Sequence, residues 1–305
     1  MTCYRADFTG IIQSNSEIEE VSWYEEGMKC SAVTQIIIDW LKTQDLLCST
    51  PTAPKSLEVT ADAEQLQISV LPRETASYQW VLFDADETLF RFDDFRGLKR
   101  MFSAFGVEFN EAHYKDYKTL NHQLWVDYQN QKITIQQLKQ ERFHSWSERL
   151  NCSADDLNSA FLRAMSEICE PLDGAIDLLN HLRGQVKLGI ITNGFTEWQQ
   201  MRLERLCLSG HFDLLVTSEE AGVAKPNRVI FDYAFSRMGA VSPEQVLMVG
   251  DNLLSDIQGG ISAGFHTCWF NEHQKAGIQH ITPNYQITAL SQLRHFIQRG
   301  ARSFS

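Results

Sequence analysis

Much is missing from this chain, and each absence narrows what it can be. No stretch approaches the ~20 consecutive apolar residues that a membrane-spanning helix needs. Met1 to Gly10 mixes both charge signs and has no apolar core of the kind a secretion signal carries. No C-x-x-C pair occurs, and the seven cysteines are odd in number and scattered. In a chain without a secretion signal, that usage reads as reduced thiols in the cytoplasm. Asn151-Cys152-Ser153 has the form of a glycosylation acceptor, which carries no meaning in that compartment. No Lys/Arg run stands out, and the net charge is −12, so nucleic acid and membrane are not expected as partners. A small anionic ligand is still compatible, because one lysine and a metal can reverse the field inside a pocket. The nine histidines show no metal-binding spacing, and no internal repeat is evident.

What remains is the composition of an ordinary globular protein. The 305 residues are 43% hydrophobic and 22% charged, enough for a sizeable core and more than one domain. Residues 1–47 form a first unit, with a strand-like run over 4–12. Val33, Ile36, Ile37, Trp40 and Leu41 then mark one apolar helix face. Residues 48–77 read as a linker punctuated by Pro51, Pro54 and Pro72, with a possible short strand over 66–70. From Gln79 onward, apolar runs of strand length alternate with helical periodicity. Strands are expected over 80–83, 186–191, 214–217, 246–249 and 267–270. Continuous apolar runs suit strands buried on both faces, and the alternation implies an α/β, doubly wound parallel sheet. Thr196 with Gln199, and Ser242 with Pro243 and Gln245, have the form of helix-capping boxes. Between the first two strands the alternation fails. That interval has helical periodicity, clearest over 133–150 and 153–169, and reads as an inserted helical lid over the edge where open α/β sheets bind ligands.

Four short signals sit at expected strand ends. Val81-Leu82-Phe83-Asp84-Ala85-Asp86-Glu87-Thr88 ends a buried strand in two carboxylates. Gly189-Ile190-Ile191-Thr192-Asn193-Gly194 ends one in a hydroxyl, an amide and a glycine. Gly222-Val223-Ala224-Lys225-Pro226 holds a lysine in a loop before a helix. Val249-Gly250-Asp251 is followed by Asp256. Each has a plain alternative: the aspartates as turn or helix caps, Thr192-Asn193 as a strand-to-helix turn, Lys225 as a solvated surface residue. Gly259-Gly260 and Gly264 follow a helix rather than open one, so they read as a turn and not a nucleotide loop.

In order and context, the four signals resemble the motifs of the haloacid dehalogenase-like hydrolase superfamily, whose cap is inserted at the same early point. More narrowly, Asp84-Ala85-Asp86-Glu87-Thr88-Leu89-Phe90, Trp125-Val126-Asp127-Tyr128-Gln129-Asn130, Ile190-Ile191-Thr192-Asn193-Gly194-Phe195, Leu203-Glu204-Arg205 and Gly222-Val223-Ala224-Lys225-Pro226-Asn227 look like the bacterial pyrimidine 5′-nucleotidases of that superfamily. The resemblance implies a catalytic core over 78–92 and 171–305 with a helical cap over 93–170. It implies a Mg²⁺-dependent phosphatase, with Mn²⁺ able to substitute, acting on a small nucleotide. Asp84 would be the nucleophile and Asp86 the acid/base. Thr192, the Asn193 amide and Lys225 would hold the phosphoryl oxygens. Asp84, the Asp86 main-chain carbonyl and Asp251 would hold the metal, and Asp256 would orient water or Lys225. The second carboxylate at Asp86 separates the chain from dehalogenases and transport ATPases. Sugar-phosphate phosphatase, phosphomutase and non-catalytic nucleotide-binding scaffold are the competing readings. The oligomeric state is open, and a monomer is compatible.

In the lid, Trp125, Tyr128, Phe143 and Trp146 could stack on a base, although such residues more often pack helices. Tyr4-Arg5-Ala6-Asp7-Phe8-Thr9-Gly10 and Ser16-Glu17-Ile18-Glu19-Glu20-Val21-Ser22-Trp23, with the helix to Leu47, look like the last third of a Nudix hydrolase. The R-E-x-x-E-E core of that family's catalytic box is absent, so a truncated Nudix-like fragment without Nudix activity is expected.

Overall fold

The computed structural model describes residues 78–297. The Nudix-like segment, the linker and the possible strand over 66–70 lie outside the described residues. Six strands form one parallel sheet: β1 (Trp80–Phe83), β2 (Lys187–Thr192), β3 (Leu214–Thr217), β4 (Val246–Gly250), β5 (His266–Phe270) and β6 (Tyr285–Ile287). Their order is β3-β2-β1-β4-β5-β6. Val81 and Leu82 point to opposite faces of β1, yet both are fully buried, so the sheet is covered on both sides. That is why its strands read as unbroken apolar runs and not as alternations.

The strand order places β1 at the centre, where the winding of the chain reverses. Phe83 lies in register with Ile190 of β2 and Val249 of β4. The residues that follow these three strands therefore emerge at one edge, at the switch point where α/β sheets open a crevice. β6 carries no signal of its own. It is three residues long, and its place is set by pairing with β5 and by the Tyr78 hydroxyl donating to that of Tyr285 at 3.0 Å.

Six helices lie between β1 and β2, and the first five form a helical layer: α1 (Asp94–Ala104), α2 (Glu111–Gln129), α3 (Ile135–Glu141), α4 (His144–Leu150) and α5 (Ala154–Ile168). Asp93, Asn110, Thr134 and Ser153 cap four of them by accepting from first-turn N–H groups. The single helix expected over 133–150 is broken at Arg142-Phe143. The break lets two consecutive side chains turn inward, with Arg142 3% and Phe143 0% exposed, where a continuous helix would splay them by about 100°. The helical layer has a core of its own, including Phe102, Tyr117, Phe143 and Phe161, distinct from the sheet cluster around Leu82, Ile191 and Phe231. The segments that enter and leave it pair with one another: Arg91 N–H donates to the Glu170 carbonyl and Leu172 N–H to that of Leu89, both at 2.9 Å.

The sheet is flanked by α6 (Ala175–Leu182), α7 (Thr196–Arg205), α8 (Ser218–Ala221), α9 (Arg228–Phe235) and α10 (Gln258–Ser262). The Thr196/Gln199 capping box does not form. Thr196 is already helical, its N–H donates to Glu219 Oε2 at 2.8 Å and its hydroxyl pairs with that of Thr217 at 2.7 Å. Tertiary neighbours supply what the local box would have. Ser242 N–H does bond Gln245 Oε1 at 3.1 Å, over a short 3₁₀ turn. Gly259 and Gly260 lie inside α10 and not in a turn. A Cβ on Gly259 would sit 2.4 Å from the Phe231 ring, so their role is close packing. Among the described residues no helix is long and apolar enough to cross a membrane.

Candidate active site

Asp84 leaves β1 with its N–H bonded to the Val249 carbonyl at 2.8 Å, so its carboxylate is aimed by a rigid strand and not by a loose loop. Lys225 reaches the same point from the loop before α9. Its ammonium donates to Asp84 Oδ1 at 2.7 Å, Asp256 Oδ1 at 2.7 Å and the Ile191 carbonyl at 2.8 Å. All three donors of a compact cation are thereby used. Burial alone would push Lys225 down, but Asp256 and Asp84 outweigh it and hold the ammonium above its ordinary value.

Asn193 follows β2. Its carboxamide grips the Lys225 backbone from both sides, donating to the Lys225 carbonyl at 3.0 Å and accepting from the Lys225 N–H at 2.7 Å. The side chain thus orders the lysine loop. Thr192 is the buried last residue of β2, in register with Thr217.

Asp251 follows β4 and is clamped through its backbone. Its N–H donates to the buried Thr88 hydroxyl at 3.1 Å, and its carbonyl accepts from Trp269 Nε1 at 2.9 Å. Asp256 lies in a π-helical turn, Leu253–Ile257, where its carboxylate accepts from Asn252 N–H at 3.0 Å and the Ser255 hydroxyl at 2.9 Å. That approach depends on Gly250, because a Cβ there would stand 2.3 Å from Asp256 Oδ2. Carboxylate oxygens of Asp84, Asp251 and Asp256 lie within 4.8 Å of one another. Burial, with Asp256 and Asp84 alongside, pushes Asp251 up to about 8. Three acids with one lysine leave excess negative charge in a buried place. Hard oxygen donors so crowded fit a divalent cation of the Mg²⁺ type.

Asp86 has a different neighbour. Arg202, fully buried on α7, donates through Nη1 to Asp86 Oδ1 at 2.6 Å, with its guanidinium over the rings of Phe90 and Trp198 at 4.5 Å each. Burial still raises Asp86 above the ordinary carboxylate range, against the pull of Arg202. A carboxyl so held is suited to carrying a proton. Sequence reasoning overlooked Arg202. The available signal was a charged residue four positions after Trp198, on a helix face that also carries buried Gln199 and Leu203.

Above Asp86 a cavity of about 110 Å³ extends into the helical layer. Of the four aromatic candidates there, Trp125 forms part of its wall. The other three pack: the buried Tyr128 donates to the Ser218 carbonyl at 2.7 Å, Phe143 is fully buried, and Trp146 lies 4.3 Å from the Phe102 ring.

The sheet order, the insertion after β1 and the acid–lysine cluster at the strand ends define a class. The chain belongs to the haloacid dehalogenase-like hydrolases, whose family model matches residues 78–264. It is 53% identical over 220 residues to the pyrimidine 5′-nucleotidase YjjG of Escherichia coli K12, a match covering 72% of this chain and 98% of that protein. It is 32% identical over 222 residues to the pyrimidine 5′-nucleotidase PynA of Streptococcus pneumoniae, covering 71% and 93%. Among solved structures, that of Bacillus subtilis YfnB bound to magnesium, described as revealing interdomain movement, matches with a TM-score of 0.63. The identity is 32%, over 72% of this chain and 98% of that one. A 2-haloacid dehalogenase from Pseudomonas syringae has a TM-score of 0.57 at 24% identity, over 72% and 98%, a likeness of fold alone.

Proposed function

We propose that this hydrolase is a Mg²⁺-dependent phosphomonoesterase that cleaves pyrimidine nucleoside 5′-monophosphates (UMP, dUMP, dTMP and non-standard analogues) to nucleoside and phosphate. The substrate class follows the two nucleotidase relatives. The observation that carries the chemistry is the division of labour between two carboxylates two residues apart. Asp84 is ion-paired with a buried lysine, and burial holds Asp86 above the ordinary carboxylate range against the pull of Arg202.

Asp84 attacks phosphorus as the bond to the ribose 5′-oxygen breaks, and Asp86 gives its proton to that oxygen. Asp86 then takes a proton from water, whose oxygen attacks the aspartyl-phosphate, releasing phosphate and restoring Asp84. Thr192 and the Asn193 main-chain N–H hold the phosphoryl oxygens, joined by Lys225 with the donor it gives up from Asp84 as that carboxylate attacks, a point charge suited to a group whose charge is spread over three oxygens. Asp256 orients Lys225 from behind. Asp84, the Asp86 carbonyl and Asp251 hold Mg²⁺, with Mn²⁺ substituting in the same oxygen donor set. When bound, the cation neutralises the charge that would otherwise keep the nucleophile and the substrate apart. Residues 78–92 and 171–305 form the catalytic core and 93–170 the cap. The small nucleotide is the partner, and the unpaired Cys152, Cys169, Cys207 and Cys268 favour a cytoplasmic setting.

Steady-state rates on a panel of nucleotides and sugar phosphates test the substrate class. UMP, dUMP and dTMP should lead, and sugar phosphates turned over far better would reject the reading. Asp84→Asn should remove phosphate release, at least about 10³-fold in kcat. Unchanged release from a clean preparation would mean another nucleophile.

A further inference from the structure

The cavity above Asp86 joins the acid to the helical layer, so a leaving group protonated by Asp86 projects into it. At about 110 Å³ it approaches the roughly 150 Å³ that takes a benzene ring in an apolar protein cavity. It is therefore far closer in size to one six-membered ring than to a fused pair. Trp125 and Phe195 give it aromatic walls.

Two polar atoms in that wall are buried without a partner, and a buried cation stands beside them. Asn121 Oδ1 is buried and accepts from nothing, and Trp198 Nε1 is buried and donates to nothing. Arg142 is 3% exposed. Its Nε bonds Asn158 Oδ1 at 3.0 Å and its Nη2 bonds the same oxygen, the Tyr117 hydroxyl lies against it, and the Phe143, Phe161 and Phe195 rings lie against its guanidinium. Among the described residues no carboxylate pairs with it. Asp94, the remaining acid of the wall besides Asp86, already accepts from the Tyr114 hydroxyl at 2.6 Å. Buried polar atoms are normally satisfied; Gln199, Arg202 and His211 also carry unpartnered atoms, but of the residues that do, Asn121 and Trp198 line this cavity, where a ligand can satisfy them.

We propose that this cavity reads the imide edge of a uracil or thymine base. Asn121 accepts the base N3–H, and Arg142 and Trp198 donate to its carbonyl oxygens. The assignment rests on the nucleotidase reading of the same site. The imide presents one donor flanked by two acceptors, and the wall offers one acceptor with two donors. Cytosine has no N3–H, and a purine exceeds the space.

The test compares kcat/KM for UMP, N3-methyluridine 5′-monophosphate and ribose 5-phosphate in wild type, Asn121→Ala and the near-isosteric Asn121→Leu. Wild type should favour UMP over its N3-methyl analogue by about 10- to 100-fold, since a site built for an N–H rejects the analogue lacking it. In both variants that ratio should fall towards one. If wild type favours UMP over ribose 5-phosphate but does not distinguish the methylated base, the imide assignment is overturned and the nucleotidase reading stands. A ratio retained in the variants overturns the role of Asn121. A wild type with no preference for UMP over ribose 5-phosphate overturns the nucleotidase reading itself, and this assignment with it.

Discussion

Asp84 and Asp86 are near neighbours in sequence, and their partners come from chain positions 141 and 116 residues away respectively. Lys225 carries a full positive charge to Asp84, while Arg202 holds Asp86 in place without cancelling the cost of its burial. The guanidinium is planar and lies against two rings, so it can hold a carboxyl in a single orientation. Arg202→Met should therefore release the Asp86 side chain. General acid–base help is worth about 10²–10⁴-fold, and misplacing the acid should forfeit about 10- to 100-fold in kcat. Arg202→Lys should recover little of it. Breaking a fully buried pair costs about 3–5 kcal/mol. Here the Asp86 side chain keeps 23% exposure, so urea unfolding should show a loss of about 2–3 kcal/mol. Unchanged kcat in a folded Arg202→Met protein would show that Asp86 needs no such anchor.

At the scale of elements, strand ends and the turns behind them set the site. β4 ends at Gly250, and the π-helical turn that follows brings Asp256 back across it. Gly250→Ala would drive a methyl group into the Asp256 carboxylate, displacing the partner that holds Lys225. Overpacking of this kind typically costs about 1–3 kcal/mol, and the same displacement should lower kcat at least about tenfold. A Gly250→Ala enzyme with wild-type kcat and unfolding midpoint would mean that Asp256 has room to shift without consequence. The helical layer is joined to the sheet both by the paired crossing segments and by Tyr128, whose hydroxyl reaches the Ser218 carbonyl beside β3.

At the scale of the whole molecule, the negative charge at the sheet's edge links metal, pH and stability. The folded pKa of Asp251 lies at about 8, far above its ordinary value. Without metal, and at pH values between those two pKa values, the folded protein keeps a proton that the unfolded chain gives up. This group's contribution to stability therefore falls as pH rises through that window. With Asp251 as a proposed ligand, Mg²⁺ would have to displace the proton at pH 6 and would meet much less of it at pH 8. Thermal unfolding at fixed Mg²⁺ should accordingly show a larger metal-induced rise in Tm at pH 8 than at pH 6. An equal rise at both would sink Asp251 as a ligand.

Local pattern was enough to define the parallel sheet, because strands buried on both faces must be apolar throughout. It was also enough to bring Asp84, Thr192 and Asp251 to a common edge, because the C-terminal ends of parallel strands lie together. Local pattern could not reveal the three-residue β6, the break at Arg142-Phe143 or the packing role of Gly259, each of which depends on a neighbour distant in sequence. Nor could it reveal Arg202 or the polar groups of the cavity wall. A buried guanidinium and an exposed one look alike in a helix pattern, and only the folded chain decides which carboxyl, ring or ligand will meet it.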